Sequence, residues 1–311
     1  MKLQLFLCVT VLICLGASLS ADILNDDLGS ENITAPIEGE QEGRGPFSVQ
    51  IDGDYIWPAR IRHSFGSESL TFATGNVEAN LVCYYDSCLN EAAIVGLEYQ
   101  YTFLDWNRNA FFNQQNYNNL ALSLGGISER FSCWTWRGEL DINFCNLANW
   151  NIQDYMNYNV LLWGRYAWLD NVGVHIGFLA ETGMKIDNIY PIIGIDWICG
   201  PRWKVSLVFP VNISLVYTIN NTWTTALQMR FFDQRNRTKK NEYLERAVWH
   251  YQTAGSEFEV KYTPFYWLTA SAHVGINYGG RLKVSDMHYR HPNRIYIQSA
   301  PYAGGELVFN F

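Results

Sequence analysis

Beyond its N-terminal leader the chain has no unbroken apolar run approaching the ~20 residues of a membrane-spanning helix, which excludes helical insertion in a bilayer. Basic charge is also scarce. The 22 Lys and Arg face 30 Asp and Glu, for a net charge of −8. That balance argues against a general nucleic-acid binder, whose electrostatic footprint is basic. The cysteines show no CxxC spacing, and no metal or cofactor is expected. Helical periodicity is confined to Tyr243, Leu244, Ala247, Val248 and Tyr251, which predict a few turns and no helical domain.

Aromatic residues are abundant by contrast, with 12 Trp and 19 Tyr among 311 residues. The mean hydropathy is nonetheless −0.11, so apolar residues must be diluted by polar ones almost one for one. Rings with an apolar body and a polar tip suit a boundary between dry and wet surroundings. Lys2, the apolar run Leu3 to Gly16 and the small residues "ASLSA" read as an export signal over 1–20, cleaved after Ser20 or Ala21. Ile13 is too large to precede a lipidated cysteine, which removes Cys14 as a lipid anchor. Residues 21–45 are acidic and free of aromatics, and are expected to be a disordered tail. Export leaves Cys83, Cys88, Cys133, Cys145 and Cys199 in an oxidising compartment; Cys83 and Cys88 are candidates for a disulfide, and an odd number leaves at least one thiol over.

From Phe47 the texture changes. Phe47, Val49, Ile51, Tyr55 and Trp57 alternate with Ser48, Gln50, Asp52 and Asp54, the period-two pattern of a strand with one apolar face. The pattern recurs from Val77–Tyr85 through Leu268–Tyr278 to a last strand beginning near Ile295. About fourteen strands result; the Pro210 region could merge or drop a pair, which keeps twelve open. Tight links such as "DSCLN", "DN", "GPR" and "NN" alternate with long ones, Pro58–Asn76, Asp105–Asn116, Cys145–Asn157, Asp233–Ala254 and Gly279–Arg294. Trp134, Trp136, Trp168, Trp197, Trp203, Trp223 and Trp267 fall near strand ends, where aromatic girdles form. Unpaired backbone is too costly in lipid for any sheet but a closed one. The expected fold over 46–311 is therefore all-β, a closed antiparallel up-and-down transmembrane β-barrel. A secreted sandwich is the weaker alternative.

With its leader, its alternating strands and the ending "AGGELVFNF", the chain resembles bacterial outer-membrane β-barrel proteins of a porin-like, poorly characterised kind. The stretch "YPIIGIDWICGPRWKVSLVFP" is similar to a segment of such barrels. The cysteines are reminiscent of chlamydia-like bacteria, whose envelope proteins are often disulfide-linked. The resemblance implies that Leu307, Phe309 and Phe311 form the signal read by the barrel-assembly machinery. It also implies outer-membrane lipid and lipopolysaccharide as surroundings, with a homo-oligomer or disulfide-linked envelope proteins as partners.

On the alternation, Glu98, Arg137, Glu139, Asp141, Arg165, Asp196, Arg230, Glu257, Glu259 and Lys261 face the lumen. Acidic positions prevail there, so a water-filled lumen would favour cations. An open or gated passive channel for small solutes is preferred over a salt-bridged plug that only supports an envelope wall. A lipid hydrolase is the rival class: Ser271 and His273 share a face, with Glu257 or Glu259 as an orienting carboxylate. Barrel acyl hydrolases carry His-x-Ser, and this chain has the reverse order, so no enzyme is expected. A receptor or adhesin acting through outer loops is a third reading, since Arg235, Arg237, Lys239, Lys240 and Arg246 make a basic patch suited to acidic headgroups.

Overall fold

The computed structural model describes residues 46–311 except 63–67, 132, 146–151, 185 and 291. The expected leader and acidic tail lie outside these residues. The described chain is a succession of antiparallel strands. These are β1 (Phe47–Arg60), β2 (Ser69–Asp86), β3 (Glu91–Trp106), β4 (Asn116–Ser128) and β5 (Trp134–Cys145). Next come β6 (Met156–Leu169), β7 (Val172–Gly183), β8 (Ile186–Cys199), β9 (Trp203–Phe209) and β10 (Asn212–Thr218). The last are β11 (Trp223–Arg237), β12 (Val248–Phe265), β13 (Leu268–Ser285), β14 (Asn293–Ile297) and β15 (Ala300–Asn310).

Each strand from β1 to β14 pairs with its neighbour in sequence, and β15 returns to β1 in a register running from Ser48↔Asn310 to Ile56↔Tyr302. The chain end locks this seam: Phe47 N donates to Phe311 O at 3.3 Å, and Phe311 N to Phe47 O at 2.7 Å. Sheet closure leaves no edge around the belt. Strand β14 pairs with the upper part of β13, Gly280–Val284, and β15 with the lower part, Leu268–Asn277. The two are halves of one stave, broken at Gln298 and Ser299, so the closed barrel has 14 staves. The ambiguity at Pro210 resolves because β9 and β10 are separate strands joined by two residues.

Two sequence expectations need correction. The helical pattern around Tyr243–Tyr251 is not a helix: residues 238–247 form turns, and Val248 and Tyr251 belong to β12. All of β12 from Val248 to Tyr251 is buried on both faces, so an apolar run there mimicked helical spacing. Much of the links Pro58–Asn76, Asp233–Ala254 and Gly279–Arg294 is also strand. Strands β2, β12 and β13 each reach 18 residues and carry the wall well past the apolar belt, whereas β9 and β10 have only 7 each.

Outward positions are large, apolar and exposed, among them Ile51, Leu124, Ile176, Ile193, Leu207, Val274 and Leu307. At the short-turn end rings stack or meet at a tilt, as in Trp134 with Trp136, Trp203 with Tyr217, Trp223 with Tyr262 and Phe265 with Trp267. That arrangement is an apolar band edged by an aromatic girdle, as a membrane-spanning β-barrel requires.

Candidate functional site: the lumen and its cap

Of the ten candidate lumen residues, six are enclosed. Glu98, Arg137, Glu139, Asp141, Asp196 and Glu257 are each at most 8% exposed. Charged groups this dry need partners, and the registers supply them. On β5, Arg137 donates to Glu139 at 3.2 Å, with Asp141 next on the same face. Glu98 is set by the β2–β3 register beside a like group, the Glu78 carboxyl, and not beside a counter-charge. Lys261 lies nearer the short-turn end, opposite Thr224 and Ser271.

A first network joins β6, β7 and β8. The Arg165 guanidinium clasps Asp196 with two bonds, 3.1 and 3.0 Å, and His175 Nε2 meets the same carboxylate at 2.6 Å. Trp163 Nε1 lies 3.0 Å from His175 Nδ1. An indole N–H can only donate, so Nδ1 accepts and the ring hydrogen on Nε2 faces Asp196. Gly173 makes room for this: a Cβ there would overlap the Asp196 carboxylate and the Arg165 guanidinium. Sequence reading picked out Arg165 and Asp196 but neither His175 nor Trp163.

A second network reaches across β1, β11, β12 and β13. His273 Nε2 is 2.7 Å from Asp54 Oδ1, and Arg230 donates to the same oxygen at 3.2 Å. Arg230 also approaches Glu257 at 3.7 Å, while Gln228 donates to Glu257 at 2.7 Å and to Glu259 at 3.2 Å. The candidate hydrolase pair is not assembled. His273 Nε2 lies 2.7 Å from both Asp54 and Arg230 and 4.0 Å from Glu257, and among the described residues the Ser271 hydroxyl makes no hydrogen bond.

Above these networks the lumen is filled. Phe72, Leu104, Tyr117, Phe232, Trp249, Tyr251, Leu282 and Tyr302 belong to one buried apolar cluster inside the long-loop end. Tyr251 of β12 touches Phe72 of β2, with ring centroids 4.9 Å apart, and Trp249 meets Tyr117 of β4 at 5.1 Å. The upper parts of β11 and β12 therefore lean over the barrel mouth as a cap. Fully burying one such side chain contributes roughly 1.5–3 kcal/mol, so apolar contact is the main force holding the cap down.

Polar contacts then fix its position. Arg235 donates to Glu181 at 2.9 Å and to the carbonyls of Gly183 and Ile186 at 3.3 and 3.4 Å. Arg246 pairs with Asp154 at 3.0 Å, Tyr155 donates to Thr238 O at 3.2 Å, and Arg237 lies over the Tyr155 ring. Burial against the cap raises the Tyr155 hydroxyl above its ordinary pKa. Asn113 N donates to Glu242 at 2.6 Å and Lys239 N to Gln114 at 2.9 Å, tying the β3–β4 loop to the β11–β12 loop. The expected basic loop patch is thus largely inverted: Arg235 and Arg237 are buried, Arg246 is paired, and Lys239 and Lys240 alone are exposed.

Cys83 and Cys88 are both exposed free thiols beside the β2–β3 turn, so the expected bond between them is not formed. Cys199 is a half-buried free thiol and Cys133 an exposed residue at the same end, while Cys145 is enclosed beneath the cap. Of the terminal residues, Leu307 and Phe311 point outward and are exposed, and Phe309 is half-buried on the same face.

No protein-family profile matches the chain. It is similar to an uncharacterized protein of Chlamydia pneumoniae, 25% identical over 265 residues, which span 84% of this chain and 79% of the relative. A second uncharacterized protein, from Chlamydia trachomatis, is 22% identical over 181 residues, or 58% of this chain and 56% of its own length. Solved structures with a similar outline include a mutant of the monoaromatic hydrocarbon channel TodX, 11% identical, with a TM-score of 0.40 over 85% of this chain and 90% of that one. Another is the KdgM porin in complex with disordered oligogalacturonate, 10% identical, with a TM-score of 0.35 over 84% of this chain and 99% of that one. Scores at this level say nothing of cargo.

Proposed function

We propose that the protein is a gated outer-membrane channel for small solutes, shut in this conformation by the cap and by the charge networks beneath it. One observation carries the reading: the inward charges engage one another under a packed apolar lid, where an open porin would turn them to water. The excess of inward carboxylates supports a preference for cations once the cap lifts. Export through the 1–20 leader and assembly through Leu307, Phe309 and Phe311 belong to the same proposal.

Conductance of refolded protein in planar bilayers tests it. The intact chain is expected to be nearly silent, and a variant with Thr238–Ala247 replaced by a short Gly-Ser link is expected to give cation-selective steps. Silence from both overturns the channel. Large steady conductance from the intact chain overturns the gate, and anion preference overturns the charge argument.

The free thiols Cys83, Cys88 and Cys199 at the short-turn end favour a second reading, a structural role through disulfides to neighbouring envelope proteins. In native outer membranes run without reductant, a ladder that collapses on reduction supports it. A single monomer band removes it.

A further inference from the structure

The barrel wall is unequal in height, and the low side has a consequence for the membrane. Strands β9 and β10 have 7 residues each, against 18 for β2, β12 and β13. At ~3.3 Å per residue and a tilt of ~40°, seven residues rise only ~18 Å, short of the ~25 Å apolar band of an outer-membrane barrel. The rings agree: Trp203 marks the lower girdle, and Phe209, at the other end of the same strand, is already the last outward apolar residue before the turn.

Above that turn the wall has a notch. Strand β8 pairs with β7 along its whole length, but with β9 only from Ile193 downward, so Ile186–Ile192 has a strand on one side only. Facing it, β11 pairs with β10 up to Met229, and Phe231–Arg237 pairs with β12 alone. Pro191 sits in the one-sided part of β8, where a residue without an N–H is tolerated. Unpaired backbone cannot lie in hydrocarbon. The back of the notch is polar as well: Arg235 spans it to Glu181, Gly183 and Ile186, and Gln252 reaches the Tyr190 hydroxyl at 3.5 Å.

We infer that the bilayer is thinned against β9–β10 and that headgroups of outer-leaflet lipids seat in the notch from the level of Phe209 and Phe231 upward, with their acyl chains below on Leu207 and Leu215. The occupant is lipid because the notch opens directly onto the apolar belt, and because its polar back wall and apolar lower rim match an amphiphile end to end. A wall shorter than the bilayer is met by local thinning at a modest cost per ångström. The inference rests on the outer-membrane reading of the barrel.

Spin labels report it. In a chain with its cysteines replaced, labels are placed by Phe209→Cys and Ile189→Cys on the low wall and by Val274→Cys on the tall one, and the protein is reconstituted in phosphatidylcholine–phosphatidylglycerol vesicles. Val274 lies seven residues above Trp267, much as Phe209 lies six above Trp203, and Ile189 and Val274 are 75% and 60% exposed, so labels there leave the packing intact. The low-wall labels are expected to meet a water-soluble nickel relaxant several-fold more readily than the Val274 label, which should meet oxygen. Low-wall labels as shielded from nickel as Val274 overturn the inference and leave the barrel in its membrane. Nickel access at all three overturns the membrane reading itself.

Discussion

Replacing Asp196 by alanine separates a packed lumen from a watery one. The carboxylate takes two bonds from Arg165 and one from His175, and the side chains of Asp196 and Arg165 are 3% and 24% exposed. In a water-filled channel such a pair is worth ~0–1 kcal/mol. In an enclosed one, removing a single partner costs ~3–5 kcal/mol, because the other charge stays behind without its counterpart. Arg165 retains some contact with water, which places the expectation near ~3 kcal/mol. Equilibrium unfolding in urea from lipid vesicles, followed by tryptophan fluorescence and by the mobility shift of the folded barrel, measures it. Arg165→Met alone should cost a similar amount, and the double variant much less than the sum of the two. Single losses under ~1 kcal/mol, or additivity within ~0.5 kcal/mol, would show a hydrated lumen and refute the closed-channel argument.

Glycines of β7 and β8 offer a second check. A Cβ at Gly177 would strike the Leu162 carbonyl and one at Gly194 the Leu207 carbonyl, whereas one at Gly138 meets nothing within 4 Å. Alanine at 177 or 194 should destabilise by ~1–3 kcal/mol in the same unfolding experiment, with Gly138→Ala near neutral. Outside the membrane, Asp286 accepts backbone N–H bonds from Arg290 at 2.9 Å and His288 at 3.1 Å, and the Arg290 bond chiefly holds its carboxyl below the usual range. A depressed folded pKa gives stability that is present above the unfolded value of ~3.9 and lost as pH falls through the folded one. Amide exchange at His288 and Arg290 should therefore stay protected down to pH ~4 and accelerate only below it; protection indifferent to pH, or already lost near pH 5, would count against the turn.

The barrel was legible because its two faces have opposite needs. Phe47 to Trp57 or Leu268 to Tyr278 cannot alternate so cleanly unless one face meets lipid, and tight links such as "NN" between Thr218 and Trp223 fix the hairpins. What could not be read is which inward residues meet. Asp54 and His273 lie 219 residues apart and Arg230 and Asp54 lie 176 apart, so their contact follows from closure and not from spacing. The cap was hidden for another reason. In Arg235–Arg237 and Val248–Tyr251 the alternation gives way to burial on both faces, because the strands leave the wall and pack against the interior of their own barrel. Arg235 and Arg237 consequently read as a loop patch when they are in fact strand residues turned inward.

The cap and the low wall are parts of one arrangement. Upper β11 can lean over the mouth only where no neighbour holds it upright, and the early turn at Pro210 removes β10 from that side above Met229. The same shortness exposes the β7–β8 corner, whose Gly183 and Ile186 carbonyls then receive Arg235. Were β9 and β10 as long as β12, a continuous ladder would pin β11 in the wall and pull Trp249 and Tyr251 away from Tyr117 and Phe72. Lengthening the hairpin by two alternating residues on each side of Phe209–Val211 should therefore loosen the cap without touching a cap residue. If the open probability in planar bilayers does not rise in that variant, the cap is held from elsewhere and the link between wall height and closure is wrong.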